Sequence, residues 1–120
     1  MIITKLQGGH GNQMFQVATA FVLAKHYNTK FKLDLSFLQK NNVSTEIFTS
    51  RKYELDVFNY KFEFTNENEI DFFFPKYKNV IKRITRKSKR ALLKPQIIRD
   101  IGNPDDFVKK TSKCTYLYGY

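Results

Sequence analysis

Leu6-Gln7-Gly8-Gly9-His10-Gly11-Asn12-Gln13-Met14-Phe15-Gln16 decides how this chain is read. Three glycines and two amides separate a short apolar run, Met1 to Leu6, from a longer one, Met14 to Leu23. Glycine allows a tight turn and close approach of a ligand to the backbone. A helix starting directly afterwards directs its unpaired N–H groups and the positive end of its dipole into the loop. Such an element holds an oxyanion well. It serves equally as a plain strand-to-helix turn, and the glycines alone leave both readings open.

Working outward, Ile2 to Leu6 reads as a buried strand. A helix follows from about Gln13 to Tyr27, with Asn12 as its expected cap. Its many apolar residues predict a mostly buried helix. Lys25 and His26 suit its last turn, and Asn28 suits its stop. Phe31, Leu33 and Leu35 alternate with Lys30, Lys32 and Asp34, a strand pattern. Strand, helix and strand within about 35 residues make a βαβ unit with parallel strands. Ligands of such sheets bind at the carboxyl ends of the strands, where the glycine loop and Asp34 both fall. The fold class expected is α/β, a Rossmann-like parallel sheet with flanking helices, in one domain over residues 1–120.

Further along, Gln39 to Ser50 reads as loop. The alternations Tyr53/Leu55/Val57 and Phe62/Phe64 predict short extended pieces. Asn66 and Glu69 have capping-box spacing and open a short helix towards Phe74. A helix is expected from Lys76 to Lys94, with Tyr77, Val80, Ile81, Ile84, Ala91 and Leu92 on one stripe and Pro95 as its end. Gly102 to Asp106 reads as a turn, with Asp105 or Asp106 available to cap a short helix near Phe107 to Lys110. Thr115 to Tyr120 reads as a strand.

Charge is concentrated. The net charge of +10 comes from 21 Lys and Arg against 11 acids, and residues 76–94 hold nine of the basic residues and no acid. The remainder is close to neutral, so the cause of the basic character is sought in that segment. The single cysteine, Cys114, excludes an internal disulfide framework and a cysteine-rich zinc site, and its apolar setting predicts a packed thiol. No signal-peptide pattern opens the chain, and Met14 to Leu23 is too short to cross a bilayer, which needs about 20 apolar residues. A cytoplasmic location is expected, with peripheral contact to an anionic membrane through 76–94 as a functional reading of the basic helix. The bland reading of that helix is a solvated basic face over a packed apolar stripe.

Two other glycine motifs fail. Met14 stands where the dinucleotide fingerprint needs its third glycine, and Asn12 follows Gly11 where a Walker loop needs lysine. No acid or histidine cluster has metal-ligand spacing. His10 is a candidate base or phosphate contact, as the one side-chain type whose charge changes near neutral pH; Asp34 is a candidate base or the cap of a following turn. The backbone at Gly8, Gly9 and Gly11, with the amides of Asn12 and Gln13, suits sugar hydroxyls or phosphate oxygens. Arg51 suits an anion or a neighbouring acid. His26 reads as a helix-end residue. The Phe and Tyr residues read as core before they read as stacking platforms for a sugar.

The opening stretch resembles the N-terminal signature of glycosyltransferase family 11, the α-1,2-fucosyltransferases, in which Gly-Gly-x-Gly-Asn-Gln-Met-Phe-Gln follows the first strand. Leu33 to Phe37 and Arg51 to Asn59 resemble later family segments in the family's order, and Tyr116 to Tyr120 resembles the start of another. Residues 72 to 112 match none. His10 departs from the family's usual aliphatic residue, and the family's basic donor motif would lie beyond Tyr120. What the resemblance implies is the N-terminal, acceptor-side half of a GT-B enzyme, with the donor domain absent. The complete protein would transfer L-fucose from GDP-fucose to the 2-hydroxyl of a galactose-containing glycan, without metal or further cofactor; this chain alone would be inactive. On this reading Gly8, Gly9, Gly11, Asn12 and Gln13 bind substrate. The alternative is a non-catalytic basic module that binds nucleic acid or another anionic polymer through 76–94. No nucleic-acid motif accompanies the charge, so specific nucleic-acid binding is not expected.

Overall fold

β1 (Ile2–Lys5) leads through the glycine loop into α1 (His10–His26), which returns to β2 (Phe31–Asp34). Then follow α2 (Ser36–Lys40), a 3-10 turn at Leu55–Val57, α3 (Glu67–Phe73), α4 (Val80–Leu93), β3 (Gln96–Ile98), α5 (Pro104–Lys110) and β4 (Thr115–Tyr118). The computed structural model describes residues 1–47, 49–75, 80–99 and 104–118. The four strands form one parallel sheet in the order β2-β1-β4-β3, an α/β arrangement of Rossmann type. β1 is interior, with Ile2 opposite Phe31 on one side and opposite Thr115 on the other.

Successive strand residues face opposite sides, and the core divides accordingly. Ile2 and Leu117 meet Ala20, Leu23 and Ala24 of α1 and Phe107 of α5 on one face. Ile3 and Tyr116 meet Phe73 and Cys114 on the other, the α3 side. Cys114 is thus a packed thiol, and burial pushes its pKa up. A third cluster, Leu6, Leu33, Leu38 and Leu55, gathers around the carboxyl ends of β1 and β2. The hydroxyl of Thr4 is buried and has no hydrogen-bond partner among the described residues.

The βαβ unit follows the sequence reading, but α1 does not present the expected face. Its buried positions are Gln13, Gln16, Ala20, Leu23 and Ala24, whereas Met14, Phe15, Phe21 and Val22 are exposed. The two glutamines go inside because their amides bond the backbone there. Gln16 Oε1 accepts from the Gln7 N–H at 3.0 Å, and its Nε2 donates to the Gln7 carbonyl at 3.2 Å. The helix also starts earlier than the amide pattern suggested. Gly9, extended at φ −82°, is the cap and no side chain caps the end, so Asn12 stands in the first turn. At the other end the expected stop holds. Asn28 adopts φ 48°, its N–H bonds Lys25 O at 3.2 Å, and the Thr29 N–H bonds Ala24 O at 2.9 Å, which is a Schellman closure.

Tyr53 to Val57 is not extended, because Leu55 turns into the third cluster through the 3-10 turn. Phe64 does extend, and residues 63–65 pair with Leu33 along the outer edge of β2. The capping box of α3 is present: Asn66 Oδ1 accepts from the Glu69 N–H, and Glu69 Oε2 accepts from the Asn66 N–H, both at 3.0 Å. Glu69 also pairs with Lys32 at 2.8 Å, tying α3 to β2. α4 begins at Val80; residues 76–79, including Tyr77 of the expected stripe, lie outside the described residues. The side chains of Val80 and Ile81 lie outside the described residues as well, and the rest of the stripe is not packed: Ile84, Ala91 and Leu92 are exposed. α5 begins at Pro104, so Asp105 and Asp106 fall within its first turn instead of capping it. β3 was not foreseen from the sequence; three residues after a proline give too short a pattern to register. β4 matches Thr115 to Tyr118, and residues 119 and 120 lie outside the described residues.

Candidate functional site

Gly8 sits at φ +78°, where an L side chain is strained. Asn12 folds back over it, so that a methyl group on Gly8 would come within 3.1 Å of Asn12 Cβ as well as striking its Nδ2. Glycine is needed here for conformation and for space at once. Gly9 meets Arg51 instead: a methyl group there would touch the guanidinium carbon and Nε at 3.8 Å. Gly11 has nothing within 4 Å of the corresponding position and faces open solvent.

These contacts surround a cavity of about 370 Å³ lined by Gly8, Gly9, Asn12, Phe37, Asn41, Thr49 and Arg51 among others. It opens at the N-terminal end of α1, beyond the carboxyl end of β1. No acid stands in the first turn of α1, and among the described residues Arg51 forms no ion pair. A cation and the positive end of a helix dipole therefore share one hollow without a protein anion between them.

Gln13 explains how Arg51 comes to be there. Its amide is fully buried. Nε2 donates to Gly8 O at 2.9 Å and to Lys52 O at 2.7 Å, while Oε1 accepts from the Glu54 N–H at 3.0 Å. The side chain staples residues 52–54 to the glycine loop and leaves Arg51 hanging over Gly9. Gln13 thus acts behind the cavity wall, and its hydrogen-bonding capacity is taken up by backbone.

His10 and Asp34, the two residues weighed as bases, stand outside this cavity. His10 Nδ1 donates to the Glu54 carbonyl at 3.0 Å, and its ring stacks on Phe58 with centroids 5.9 Å apart. Asp34 is buried at the end of β2; Oδ1 accepts from the Ser36 N–H at 2.8 Å, starting α2, and Oδ2 accepts from the Tyr116 hydroxyl. Burial, reinforced by the Asp34 bond, pushes the Tyr116 phenol far above its ordinary value, so the hydroxyl stays protonated. Asp34 lines a second cleft of about 570 Å³ across the carboxyl ends of β1, β2 and β4. There Lys5 lies over the Tyr118 ring at 4.3 Å, and Phe64, Phe74 and Tyr116 add aromatic wall. α2 borders both hollows, giving Phe37 and Leu38 to the first and Ser36, Gln39 and Lys40 to the second.

The structure thus brings Gly8, Gly9 and Asn12 together, sets Gln13 behind them, and separates His10, Gly11 and Asp34 from them. Arg51 belongs to the group, and the sequence signal for it was weak, an arginine in a polar run. Lys5 gives no sequence signal, since a lysine at a strand end carries no motif, and Tyr118 enters the sequence reading only within the Tyr116 to Tyr120 segment. His26 ends α1, exposed and edge-on to Tyr27 at 4.7 Å. Among the described residues no group of three or more His, Cys, Asp or Glu has the geometry of a metal site, and no helix is long and apolar enough to cross a membrane. Comparison of the chain with protein-family models, with curated proteins and with solved structures finds no match.

Proposed function

We propose that this chain is the acceptor-side domain of an inverting fucosyltransferase that moves L-fucose from GDP-fucose to the 2-hydroxyl of a galactoside. One observation carries the reading: the Gly8–Gly9–Asn12 loop and Arg51 form a cationic hollow at the start of α1, with no acid among the described residues to neutralise it. A diphosphate supplies the missing charge. In the transfer, the acceptor oxygen bonds to the anomeric carbon as the carbon–oxygen bond to the diphosphate breaks, and the hydroxyl proton is released. Charge grows on the departing diphosphate, so N–H groups and a guanidinium aimed at it favour the transition state over the ground state. The second cleft, with carboxylate, lysine and aromatic walls, has the chemistry for a sugar acceptor. Neither His10 nor Asp34 is assigned as the base: one ring nitrogen of His10 is committed to a carbonyl, and Asp34 to two donors.

The resemblance to family 11 supports the same substrates and implies a second half that carries the basic donor motif. The test uses the complete reading frame that contains this chain, incubated with GDP-fucose and lactose. Transfer is expected, with Asn12→Ala lowering kcat/KM at least tenfold, about 1.4 kcal/mol of transition-state stabilisation. Purified alone, the 120-residue chain is expected to transfer nothing. Absence of transfer by the complete protein, or full activity of the Asn12 variant, would count against the reading.

A further inference from the structure

α4 is tied to the domain through Arg90 and turns Ile84, Ala91 and Leu92 to water. Arg90 donates through its guanidinium to the carbonyls of Phe72 and Phe73 in α3, the latter at 3.1 Å. Thr85, Lys89 and Leu93 line the hollow between α4 and the Met1–Phe72–Cys114 surface. At 3.6 residues per turn, Ile84, Ala91 and Leu92 fall broadly on the opposite side. Ile84 is 62 % exposed and Leu92 83 %. Lys87 and Lys94, both exposed, flank the stripe. A helix that only roofed a sheet would be expected to face the other way.

We propose that α4 is a docking surface for an anionic lipid bilayer, lying in the plane of the headgroups. Ile84, Ala91 and Leu92 enter the acyl boundary while the neighbouring lysines reach lipid phosphates, the arrangement of a basic amphipathic helix at an interface. Charge complementarity selects the occupant. Residues 76–94 contain nine Lys and Arg and no acid, and each basic residue near an anionic leaflet strengthens binding roughly fivefold, within a Debye length of the surface. The exposed stripe separates this partner from a nucleic acid. Phosphate binding would use the charge and leave three apolar residues in water, and no aromatic side chain stands between Val80 and Leu93 for a base to stack on. The surface is built from α3 and α4, on the sheet face opposite α1, so this proposal stands or falls separately from the transferase reading.

The chain has no tryptophan, so Leu92→Trp supplies a single reporter within the proposed contact. The full chain is mixed with phosphatidylcholine vesicles, with and without phosphatidylserine, across a salt series. The expected result is a blue shift of the Trp emission and quenching by shallow brominated lipid, with anionic vesicles only and weakening as salt rises. In co-sedimentation, Ile84→Asp and Leu92→Asp each lower partitioning at least tenfold, while far-UV circular dichroism stays at the parent's level because both sites are solvent-facing. Four outcomes overturn the proposal: no binding, equal binding to neutral vesicles, binding with an unshifted Trp, or binding that both Asp variants leave intact. Tighter binding to single-stranded RNA than to anionic vesicles also overturns it, and assigns the segment to nucleic acid.

Discussion

Replacing Gln13 by alanine removes three hydrogen bonds at once, to Gly8 O, Lys52 O and the Glu54 N–H. At a net value of about 1 kcal/mol per bond, the loss is about 3 kcal/mol, with the buried carbonyls and N–H left to find water. That is a large share of the ~5–15 kcal/mol that holds a domain together. For a chain of 120 residues, interpolating between size classes gives about 3–6 °C per kcal/mol, so the melting midpoint should fall by roughly 9–18 °C. Urea titration monitored by circular dichroism should show the same loss with an unchanged slope. Gln13→Glu sharpens the test. The carboxylate still accepts from Glu54 but faces two carbonyl oxygens, so its pKa rises in the fold above the ordinary ~4.3. A group with a raised folded pKa contributes least at high pH. The deficit of Gln13→Glu should therefore be largest at neutral pH and shrink as pH falls towards 4. If Gln13 served a ligand instead of the wall, Gln13→Ala would melt within about 0.5 kcal/mol of the parent and lose only transfer; that result would refute the staple.

Other positions give sharper contrasts. Gly8→Ala should cost about 1–2 kcal/mol from φ alone and more by displacing Asn12, whereas Gly11→Ala, with open space at its Cβ position, should be neutral or stabilising by up to ~1 kcal/mol; thermal melts of the pair decide. Tyr116→Phe should cost about 1.5–3 kcal/mol, the range for a bond to a charged acceptor. Because the folded phenol is raised above its ordinary 10.0, the stability it contributes is complete below pH 10 and lost above it, so the parent should weaken at alkaline pH more steeply than the Phe variant. Asn66→Ala should cost about 1 kcal/mol by opening the capping box, read from the denaturation midpoint. Thr4→Val, which replaces an unpartnered buried hydroxyl, should be neutral or stabilising by about 1 kcal/mol.

The parts of the fold legible in the sequence were those set by local rules. Alternation at Phe31 to Leu35, the capping box at Asn66 and the left-handed stop at Asn28 each depend on neighbours a few residues away. The inward turn of Gln13 and Gln16 was not legible, because a hydropathy pattern ranks an amide below a phenylalanine and cannot see the carbonyl of Lys52, which arrives from 39 residues away. The same long-range tie brings Arg51 to Gly9. The outward stripe of α4 escaped for a related reason: helical spacing shows that a stripe exists, while the bonds of Arg90 to α3 decide which way it points.

The place of β1 in the sheet has a consequence for synthesis. Its two neighbours are Phe31–Asp34 and Thr115–Tyr118, and the second is made 113 residues after Ile2. At about 5–20 residues per second, β1 waits roughly 6–23 s for that partner. Until then the chain holds at most a two-stranded ribbon, too small to be stable by itself. One full edge of Ile2 to Lys5 stands open, and a second nascent chain on the same message offers an identical strand to fill it. Conditions that slow elongation between Lys40 and Thr115 lengthen that exposure, and the yield of folded protein should track translation speed over that interval more closely than it tracks the stability of the finished domain.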